Sequence, residues 1–285
     1  MQLSPAAFND IRKAVHELCG IVISDDKEYL VKSRLEPILK RNGLASYELL
    51  VQRLKQPNSL LLRDQTIEAI TTNETSFNRD GHPFEELRRT ILPEIARRLI
   101  DRRTTTRLAF PRARIWCAAV ATGQEAYSVA MAVADFVSDR AARGLTAYDF
   151  PILASDISSH ALATAREGRY SSAELDRGVT AVQRDRFFRH KNGAWFVDHA
   201  IRGMVEFCRL NLVEPLPDLG TFDLILCRNL LIYLDDASRR HLCDGLYSTL
   251  NDQGILMIGA AESLYGVTDA FSRECLGKTI VYRKQ

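Results

Sequence analysis

Polar side chains that could hold a ligand follow several short apolar runs in the second half of the chain. Glu125 and Asp156 are acids placed just after two such runs, and the pair Arg228-Asn229 follows a third. In an open α/β sheet, ligands bind beyond the carboxyl ends of the strands. If the runs are neighbouring strands, these four side chains meet at one edge of the sheet. The pattern therefore predicts a binding cleft there.

The carboxylate of Glu125 allows two interpretations. It lies at the predicted start of a helix, where the helix dipole stabilises an acid. The same group could hold the ammonium group of a ligand. The surrounding segment Ala118–Ala126 is rich in small residues, which let a ligand approach the backbone closely. It carries Gly123 but not the GxGxxG pattern, so a phosphate site is not predicted.

The position of Asp156 favours binding of ribose. An acid that ends the second strand of a nucleotide-type fold typically accepts hydrogen bonds from ribose hydroxyls. The alternative is that Asp156 caps the next helix, but Ser158 or Ser159 can already do so. The spacing of 33 residues from Gly123 is longer than usual because a long helix and loop intervene.

Three further segments provide candidate residues for the same cleft. Asn211-Leu212 follows another apolar run, and Tyr233 lies four residues after Asn229. An Arg-Asn pair that leaves a strand places strong hydrogen-bond donors beside the cleft. The segment Thr71–Asp80 is dense in polar side chains. It is either a polar interdomain hinge or a cap over the bound ligand.

The spacing of apolar residues divides this chain of 285 residues into two parts. Residues 5–70 show the three- and four-residue spacing of amphipathic helices, which predicts a helical bundle. From residue 114 onward, short apolar runs alternate with helical patterns, which is typical of a doubly wound, mostly parallel α/β sheet. The predicted strands are 114–120, 151–155, 205–209, 222–227, 254–259 and 279–283, and the helices between them are 126–137, 159–166 and 236–250.

One segment, from Ser171 to Arg202, interrupts the alternation of strands and helices. It combines a polar helical pattern, two apolar runs and the turn pair Asn192-Gly193. Because Asn-Gly favours a two-residue hairpin turn, we predict a small β-subdomain inserted at residues 171–205. The predicted domains are residues 1–74, which are helical, and residues 75–285, which hold a linker and the α/β fold.

Basic residues are concentrated in two regions, residues 88–114 and the second predicted helix. Most of the first region lies on a helix predicted at residues 84–107, with a kink or break expected at Pro93. Its arginines either face an acidic partner or belong to a solvated helix face followed by a polar connector, which is the commoner case. The second predicted helix could dock on an acidic helix through its basic face. The basic residues are Arg88, Arg89, Arg97, Arg98, Arg102, Arg103, Arg107, Arg112 and Arg114 in the first region, and Lys32, Arg34, Lys40 and Arg41 in the second.

Composition and missing motifs exclude several classes of protein. Hydrophobic residues make up 46% and charged residues 26%, which is ordinary for a soluble globular protein. The net charge of +2 gives no strong reason to expect nucleic acid. The six cysteines form no CxxC pair and no zinc-spaced cluster, so no metal site is predicted. With neither a signal peptide nor a membrane span, we expect a cytoplasmic protein.

Five segments, in their order and spacing, resemble the motifs of the CheR family of chemoreceptor glutamate methyltransferases. The segment LVKSRLEPILKRNGL (30–44) also resembles the N-terminal domain of that family. The resemblance extends over nearly the whole chain. The five segments are TTNETSFNRD (71–80), AAVATGQEAYSVAM (118–131), ASDISSHALATAREGRY (154–170), FDLILCRNLLIYLD (222–235) and GAAESL (259–264).

The resemblance implies a Rossmann-like methyltransferase domain whose mostly parallel sheet has an antiparallel last strand, preceded by a small all-α domain. It implies S-adenosylmethionine as cofactor, S-adenosylhomocysteine as product, and no metal. Glu125 would hold the methionine ammonium group and Asp156 the ribose, with Arg79 and Tyr233 near the transferring methyl group. The binding residues of the family match Asn73, Thr75, Arg79, Glu125, Asp156, Asn211, Leu212, Arg228 and Asn229.

The implied substrates are glutamate side chains on the cytoplasmic helices of chemoreceptors, which would become methyl esters during sensory adaptation. In some members of the family the β-subdomain also binds a receptor tail peptide, so residues 171–205 are the candidate site for such a peptide. Neither a stable complex with nucleic acid nor insertion into a membrane is implied.

The chain departs from the pattern of the family at five positions. Where the family usually has a second aromatic residue, Cys-Ser, Glu and Pro, this chain has Asn78, Val120-Ala121, Gln124 and Ala126. The groups implied to contact the cofactor are retained, so we expect cofactor binding, with weakened affinity or altered regulation left open. Two other functions also stay open, a catalytically weakened binding module of the same fold and a methyltransferase that acts on nucleic acid.

Overall fold

The computed structural model describes residues 1–105, 111–139, 142 and 144–284. Residues 5–70 form the helical bundle that the sequence predicts. Its helices pack around one apolar core that includes Ile11, Leu35 and Tyr47. The helices are α1 (Pro5–Cys19), α2 (Glu28–Arg41), α3 (Tyr47–Leu54) and α4 (Leu60–Ile70).

Local signals in the sequence set the ends of these helices. Gly20 ends α1 in the left-handed conformation, with a φ of 70°, where a residue without a side chain is favoured. The hydroxyl of Ser46 accepts a hydrogen bond from the Leu49 N–H at the start of α3, which satisfies one otherwise unpaired donor. Both ends lie where the sequence predicts them.

A helical segment over residues 82–105 follows the linker, which we define as residues 71–81. It comprises α5 (His82–Glu86), a π-helical turn at Leu87–Ile91 and α6 (Leu92–Thr105). The irregularity predicted at Pro93 therefore lies in the turn just before it. In a regular α-helix a proline ring clashes with the carbonyl four residues earlier, and a wider turn at that place avoids the clash. Residues 106 and 107 of the predicted helix lie outside the described residues.

Strands and helices alternate after residue 110, as predicted. The strands are β1 (Ile115–Ala118), β2 (Ile152–Asp156), β3 (Arg169–Tyr170), β4 (Phe188–Lys191), β5 (Ala194–Val197), β6 (Val205–Arg209), β7 (Phe222–Cys227), β8 (Leu250–Ile258), β9 (Phe271–Leu276) and β10 (Thr279–Lys284). The helices are α7 (Gln124–Ser138), α8 (Ser159–Glu167), α9 (Ser172–Asp176), α10 (Ala181–Phe187), α11 (His199–Arg202) and α12 (Asp236–Thr249).

Within the described residues, the main sheet has seven strands in the order β6-β2-β1-β7-β8-β10-β9. The first five run parallel, and Ile115 of β1 pairs with Ile152 on one side and Leu224 on the other. Every residue of β1 and β7 is buried, as expected for parallel strands covered on both faces. The doubly wound, mostly parallel α/β fold is therefore confirmed.

The antiparallel last strand is confirmed, since β10 pairs antiparallel with β8. The structure adds a strand that the sequence analysis did not predict, β9, which pairs antiparallel with β10. β9 was not predicted because Ser272, Arg273 and Glu274 are three polar residues in a row. The strand therefore lacks the alternation of apolar and polar residues that is typical of an edge strand buried on one side. β8 also begins earlier than predicted, since Leu250 already pairs with Phe222.

The insertion contributes two strands to a second sheet, whose third strand, β3, lies just before it, and the strand order is β3-β5-β4. β4 and β5 make the predicted hairpin, and its turn residues Asn192 and Gly193 have φ values of 51° and 73°. Positive φ at both turn residues is what a type I′ turn requires, which explains the Asn-Gly pair. The presence of a small inserted sheet is confirmed, whereas the boundaries at residues 74/75 and 171–205 stay predictions.

The basic residues of the two helical regions are largely used inside the molecule. Arg102 pairs with Asp223 at 2.9 Å, and Arg103 pairs with Asp149. Arg34 of α2 donates to the Ile70 carbonyl at 2.7 Å, so it holds the end of α4 instead of joining a free basic face. Arg107 lies outside the described residues. Among the helices that the structure does describe, none has the length and hydropathy needed to cross a membrane.

The linker packs closely against the insertion at Gly178. The side-chain amide of Asn78 donates to the Gly178 carbonyl at 2.8 Å. Phe77 is fully buried and meets Tyr170 and Phe188 edge-on, with ring centroids 5.0 and 5.4 Å away. A Cβ atom on Gly178 would lie 1.8 Å from the Phe77 carbonyl oxygen. This position therefore has no room for a side chain.

We expect Gly178→Ala to lower the free energy of unfolding by about 2 kcal/mol, because overpacking a closely packed contact costs about 1–3 kcal/mol. Urea denaturation measures the change. Gly203→Ala is the matched control, since a Cβ there comes no closer than 3.4 Å to the His199 carbonyl oxygen. Equal stability of the two variants would contradict the close approach.

Candidate active site

A cavity of about 260 Å³ lies between the helical bundle and the carboxyl edge of the main sheet. Every site residue proposed from the sequence lines it. The sequence analysis did not anticipate that the bundle also contributes to the wall, through residues that include Val22, Lys27, Leu30 and Arg34. The residues proposed from the sequence are Asn73, Thr75, Arg79, Glu125, Asp156, Asn211, Leu212, Arg228, Asn229 and Tyr233.

Glu125 lies in the first turn of α7 and is paired with Arg228. Its Oε2 accepts a hydrogen bond from Arg228 Nη1 at 2.9 Å. The carboxylate is almost enclosed, with 10% of the side chain exposed. Burial raises the pKa of Glu125 above its usual value, and the Arg228 guanidinium opposes that rise. The acid is thus more than a capping group, because it belongs to a buried ion pair at the cavity.

Arg228 connects the sheet to the linker. Its side chain is fully buried, and its Nη2 donates to Asp80 Oδ2 at 2.7 Å and to the Arg79 carbonyl at 3.1 Å. The guanidinium also lies 5.5 Å from the ring centre of Phe84. Asp80 had no role in the sequence analysis, although it ends the linker motif. One cation therefore holds the strand end, α7 and the linker together.

Asp156 is held by backbone groups on both of its oxygens. Oδ2 accepts from the Ala121 N–H at 2.7 Å, and Oδ1 accepts from the Ser158 N–H at 2.9 Å. Burial raises the pKa of Asp156 against the lowering effect of these bonds. Ser158 caps α8 by accepting from the Ala161 N–H, as the sequence analysis expected. Each carboxylate oxygen of Asp156 keeps further acceptor capacity for ligand hydroxyls.

The loop between β1 and α7 has a strained backbone. Ala119 and Ala121 have φ values of 58° and 50°, in the left-handed region that costs alanine energy. Such strain is characteristic of functional sites whose surroundings enforce it. At Ala121 the conformation turns the backbone N–H onto Asp156.

A buried acid that the sequence analysis left without a role supports the Arg228-Asn229 turn. Glu262 accepts hydrogen bonds from the N–H groups of Gly259 at 2.6 Å and Asn229 at 2.7 Å. Asn229 itself has a φ of 59°. The signal in the sequence was an acid four residues after the end of an apolar strand, in the quoted segment GAAESL. Glu262 therefore fixes the backbone of a residue that lines the cavity.

The remaining candidates occupy the walls and the rim. Arg79 Nη1 donates to the Glu74 carbonyl at 3.2 Å. Tyr233 is 37% exposed, and its carbonyl accepts from the Val22 N–H of the bundle at 2.8 Å. Asn211 Nδ2 donates to the Leu18 carbonyl at 3.0 Å, so in this structure Asn211 joins the sheet to the bundle.

The polar and apolar side chains that line the cavity fit S-adenosylmethionine. Two buried carboxylates on neighbouring loops suit an ammonium group and ribose hydroxyls, while Ile157, Leu210 and Leu212 provide apolar wall for a purine ring. No cluster of three or more side chains able to hold a metal ion occurs among the described residues. The roles assigned to individual residues stay predictions.

We expect Glu262→Ala to lower the free energy of unfolding by about 1–3 kcal/mol, because it leaves buried N–H donors without an acceptor. Urea denaturation measures the loss. Glu17→Ala, which removes an exposed acid on α1, serves as the control and should change stability little. A Glu262→Ala variant as stable as this control would show that the buried bonds contribute nothing.

Comparison with known proteins matches both parts of the chain to one family. Residues 6–71 match the domain described as CheR methyltransferase, all-alpha domain, and residues 73–279 match CheR methyltransferase, SAM binding domain. Together the two matches include the bundle, most of the linker and most of the α/β fold.

Several relatives align over almost their whole length. Chemotaxis protein methyltransferase Cher2 of Pseudomonas putida is 35% identical over 277 residues, covering 97% of each chain. Chemotaxis protein methyltransferase 1 of Pseudomonas aeruginosa is 37% identical over 284 residues, covering 99% of each. A chemotaxis protein methyltransferase of Vibrio parahaemolyticus is 34% identical over 282 residues, covering 99% of this chain and 98% of the relative. The chain therefore belongs to the CheR family and is an S-adenosylmethionine-dependent methyltransferase.

Proposed function

We propose that this protein methylates glutamate side chains on the cytoplasmic helices of chemoreceptors, giving methyl esters. The observation that supports this most directly is that Glu125, Asp156 and the Arg228-Asn229 turn converge on one cavity that Arg79 also lines. The relatives named as chemotaxis protein methyltransferases support the substrate class. A cytoplasmic location is part of the same proposal.

The buried acids hold the cofactor in this proposal. The pairing with Arg228 uses one oxygen of Glu125, so the other can accept from the methionine ammonium group. Asp156 binds the ribose hydroxyls, and its two backbone bonds keep the carboxylate in place. Asn73, Thr75, Asn211, Leu212 and Asn229 complete the wall around the cofactor.

The reaction needs little acid–base chemistry from the protein. When bound, S-adenosylmethionine supplies a methyl group on sulfur, and the S–C bond breaks as the bond to a glutamate oxygen forms. A glutamate carboxylate is already ionised near neutral pH, so no general base is required. The protein acts by holding the two reactants in line, which by itself can contribute several kcal/mol to lowering the barrier.

Arg79 and Tyr233 are the residues that we assign to the substrate end of the cavity. Arg79 bonds to one backbone carbonyl, and a guanidinium has five N–H donors. It therefore retains donors for a carboxylate, which it can bind with two parallel hydrogen bonds. Tyr233 lines the same cavity and is partly exposed, so a glutamate that enters from solvent can contact it.

The inserted sheet is our candidate for the receptor tail peptide. β4 is an edge strand of that sheet, and an extended peptide can add to such an edge through backbone hydrogen bonds. Arg189, His190 and Lys191 are exposed along β4, which favours a peptide with acidic residues.

The two alternative functions have less support. The departures from the family pattern preserve bonding at the site, since Ala121 donates to Asp156 and Gln124 bonds to Glu174 of the insertion at 3.4 Å. A weakened binding module is therefore not favoured. Nor is a nucleic acid substrate, because arginines that could attract phosphates, such as Arg102 and Arg103, are paired within the molecule.

We expect Arg79→Ala to reduce methyl transfer about a hundredfold or more, because the carboxylate that it orients would lose its position. The rate is measured by transfer of a tritium-labelled methyl group from the cofactor to receptor cytoplasmic domains. Hydrolysis of the methyl ester in base then releases the label as methanol. Arg240→Ala, which removes an exposed arginine on α12, is the matched control and should retain activity. Turnover of Arg79→Ala at the control rate, or label that resists base, would contradict the proposal.

Cofactor affinity should depend on pH through Glu125. The carboxylate must be ionised to hold an ammonium group, so affinity falls as pH drops through its raised pKa. Arg228→Met removes the cation that lowers this pKa and should move the pH of half-maximal affinity upward. Calorimetry with S-adenosylhomocysteine across about pH 5 to 9 measures the midpoint. Arg228→Lys, which keeps the charge, should shift it less, and an unmoved midpoint in Arg228→Met would exclude the assigned role of Glu125.

A further inference from the structure

The loop that carries Asp156 is held by the helical bundle as well as by the sheet. Asp156 ends β2, and the hydroxyl of Ser158 caps α8. Between them, Ile157 packs against the apolar core of the bundle. The position of the Asp156 carboxylate therefore depends on contacts with both domains.

Two acids one turn apart on α4 support this loop, Glu68 directly and Asp64 through an arginine. Glu68 accepts hydrogen bonds on both oxygens, from the Ser158 hydroxyl and from the His160 N–H at 3.0 Å. Asp64 pairs with Arg209 at the end of β6, and Arg209 Nε donates to the Ile157 carbonyl at 3.1 Å. Residues four apart share one face of a helix, so one face of α4 carries both acids.

Ser158 links Glu68 to Asp156. Its hydroxyl donates to Glu68, while its backbone N–H donates to Asp156 Oδ1 at 2.9 Å. The Glu68 carboxylate also lies at the N-terminal end of α8, where the helix dipole favours a negative charge. Without Glu68, the His160 N–H would lose its acceptor, and the Ser158 hydroxyl would be held only by the bond that it accepts from the Ala161 N–H.

We propose that Glu68 is a positioning residue for Asp156, so that docking of the helical bundle and affinity for the ribose of the cofactor are coupled. The inference rests on the proposed assignment of Asp156 to the ribose. Such a coupling is reciprocal: whatever factor docking contributes to cofactor affinity, bound cofactor contributes to docking. The bundle is then part of the cofactor site.

A second contact between the domains provides the matched control. His16 Nε2 on α1 lies 2.8 Å from Asp235 Oδ2, and the other oxygen of Asp235 caps α12. This pair also joins the bundle to the α/β domain but has no contact with the loop of Asp156. If cofactor affinity depends only on general docking, the Kd should rise equally in the His16 and Glu68 variants. If it depends on the position of Asp156, the Kd should rise only in the Glu68 variants.

The test measures binding of S-adenosylhomocysteine to the full chain by calorimetry. Glu68→Ala should raise the Kd about tenfold, within the usual range for coupled sites, and Glu68→Gln less, because its amide oxygen can still accept one bond. His16→Ala should stay within about twofold of the wild type. In turnover, Glu68→Ala should raise the KM for the cofactor and leave kcat nearly unchanged, because Arg79 and Tyr233 are untouched.

A double-mutant cycle with Asp156→Asn separates positioning from general stability. If Glu68 acts through Asp156, adding Glu68→Ala to Asp156→Asn weakens binding no further. An equal loss in both backgrounds, a wild-type Kd for Glu68→Ala, or equal losses for the His16 and Glu68 variants would each overturn the inference. Wild-type affinity of Asp156→Asn alone would instead refute the ribose assignment, so the two failures are distinguishable. Thermal melts verify folding, and Glu68→Gln replaces Glu68→Ala if the latter is unfolded.

Discussion

The site depends on the ion pairs that the buried guanidinium of Arg228 makes. A fully enclosed cation is stable only when it is paired and hydrogen-bonded, and here Glu125 and Asp80 supply the opposite charges. The pairing brings a strand end, a helix start and the linker to one point.

The cavity belongs to the junction of two domains and to neither domain alone. The sheet loops provide the carboxylates, while the bundle closes the wall and is joined to the sheet by the Asn211–Leu18 bond and the bridge between Ile21 and Leu234. Glu125 and Asp156 are buried in this lining, and burial strengthens their electrostatic contacts. Docking of the bundle is therefore part of forming the site.

The positions at which the chain departs from its family tie the site to the insertion. Asn78 adopts a φ of 46° and bonds to the Gly178 carbonyl, and asparagine tolerates this left-handed conformation better than an aromatic residue does. Gln124, at the start of α7, bonds to Glu174 in the insertion. Both contacts join elements that line the cavity to the insertion, whose sheet is our candidate for binding a receptor peptide.

The sequence by itself determined the ends of α1 and α3, the main parallel strands and the part of the cavity lining that lies outside the bundle. The helix ends follow from capping and the strands from local periodicity, while the cavity residues follow from the rule that ligands lie at strand ends and from the resemblance to the CheR family. The tertiary structure alone decided which partners the polar groups have. Glu68, Asp80 and Glu262 acquire roles through contacts with residues distant in the chain, and Arg34 turns from a basic face onto the end of α4. β9 depends in the same way on its pairing with β10. Local sequence patterns do not predict such pairings, because they form only when the chain has packed.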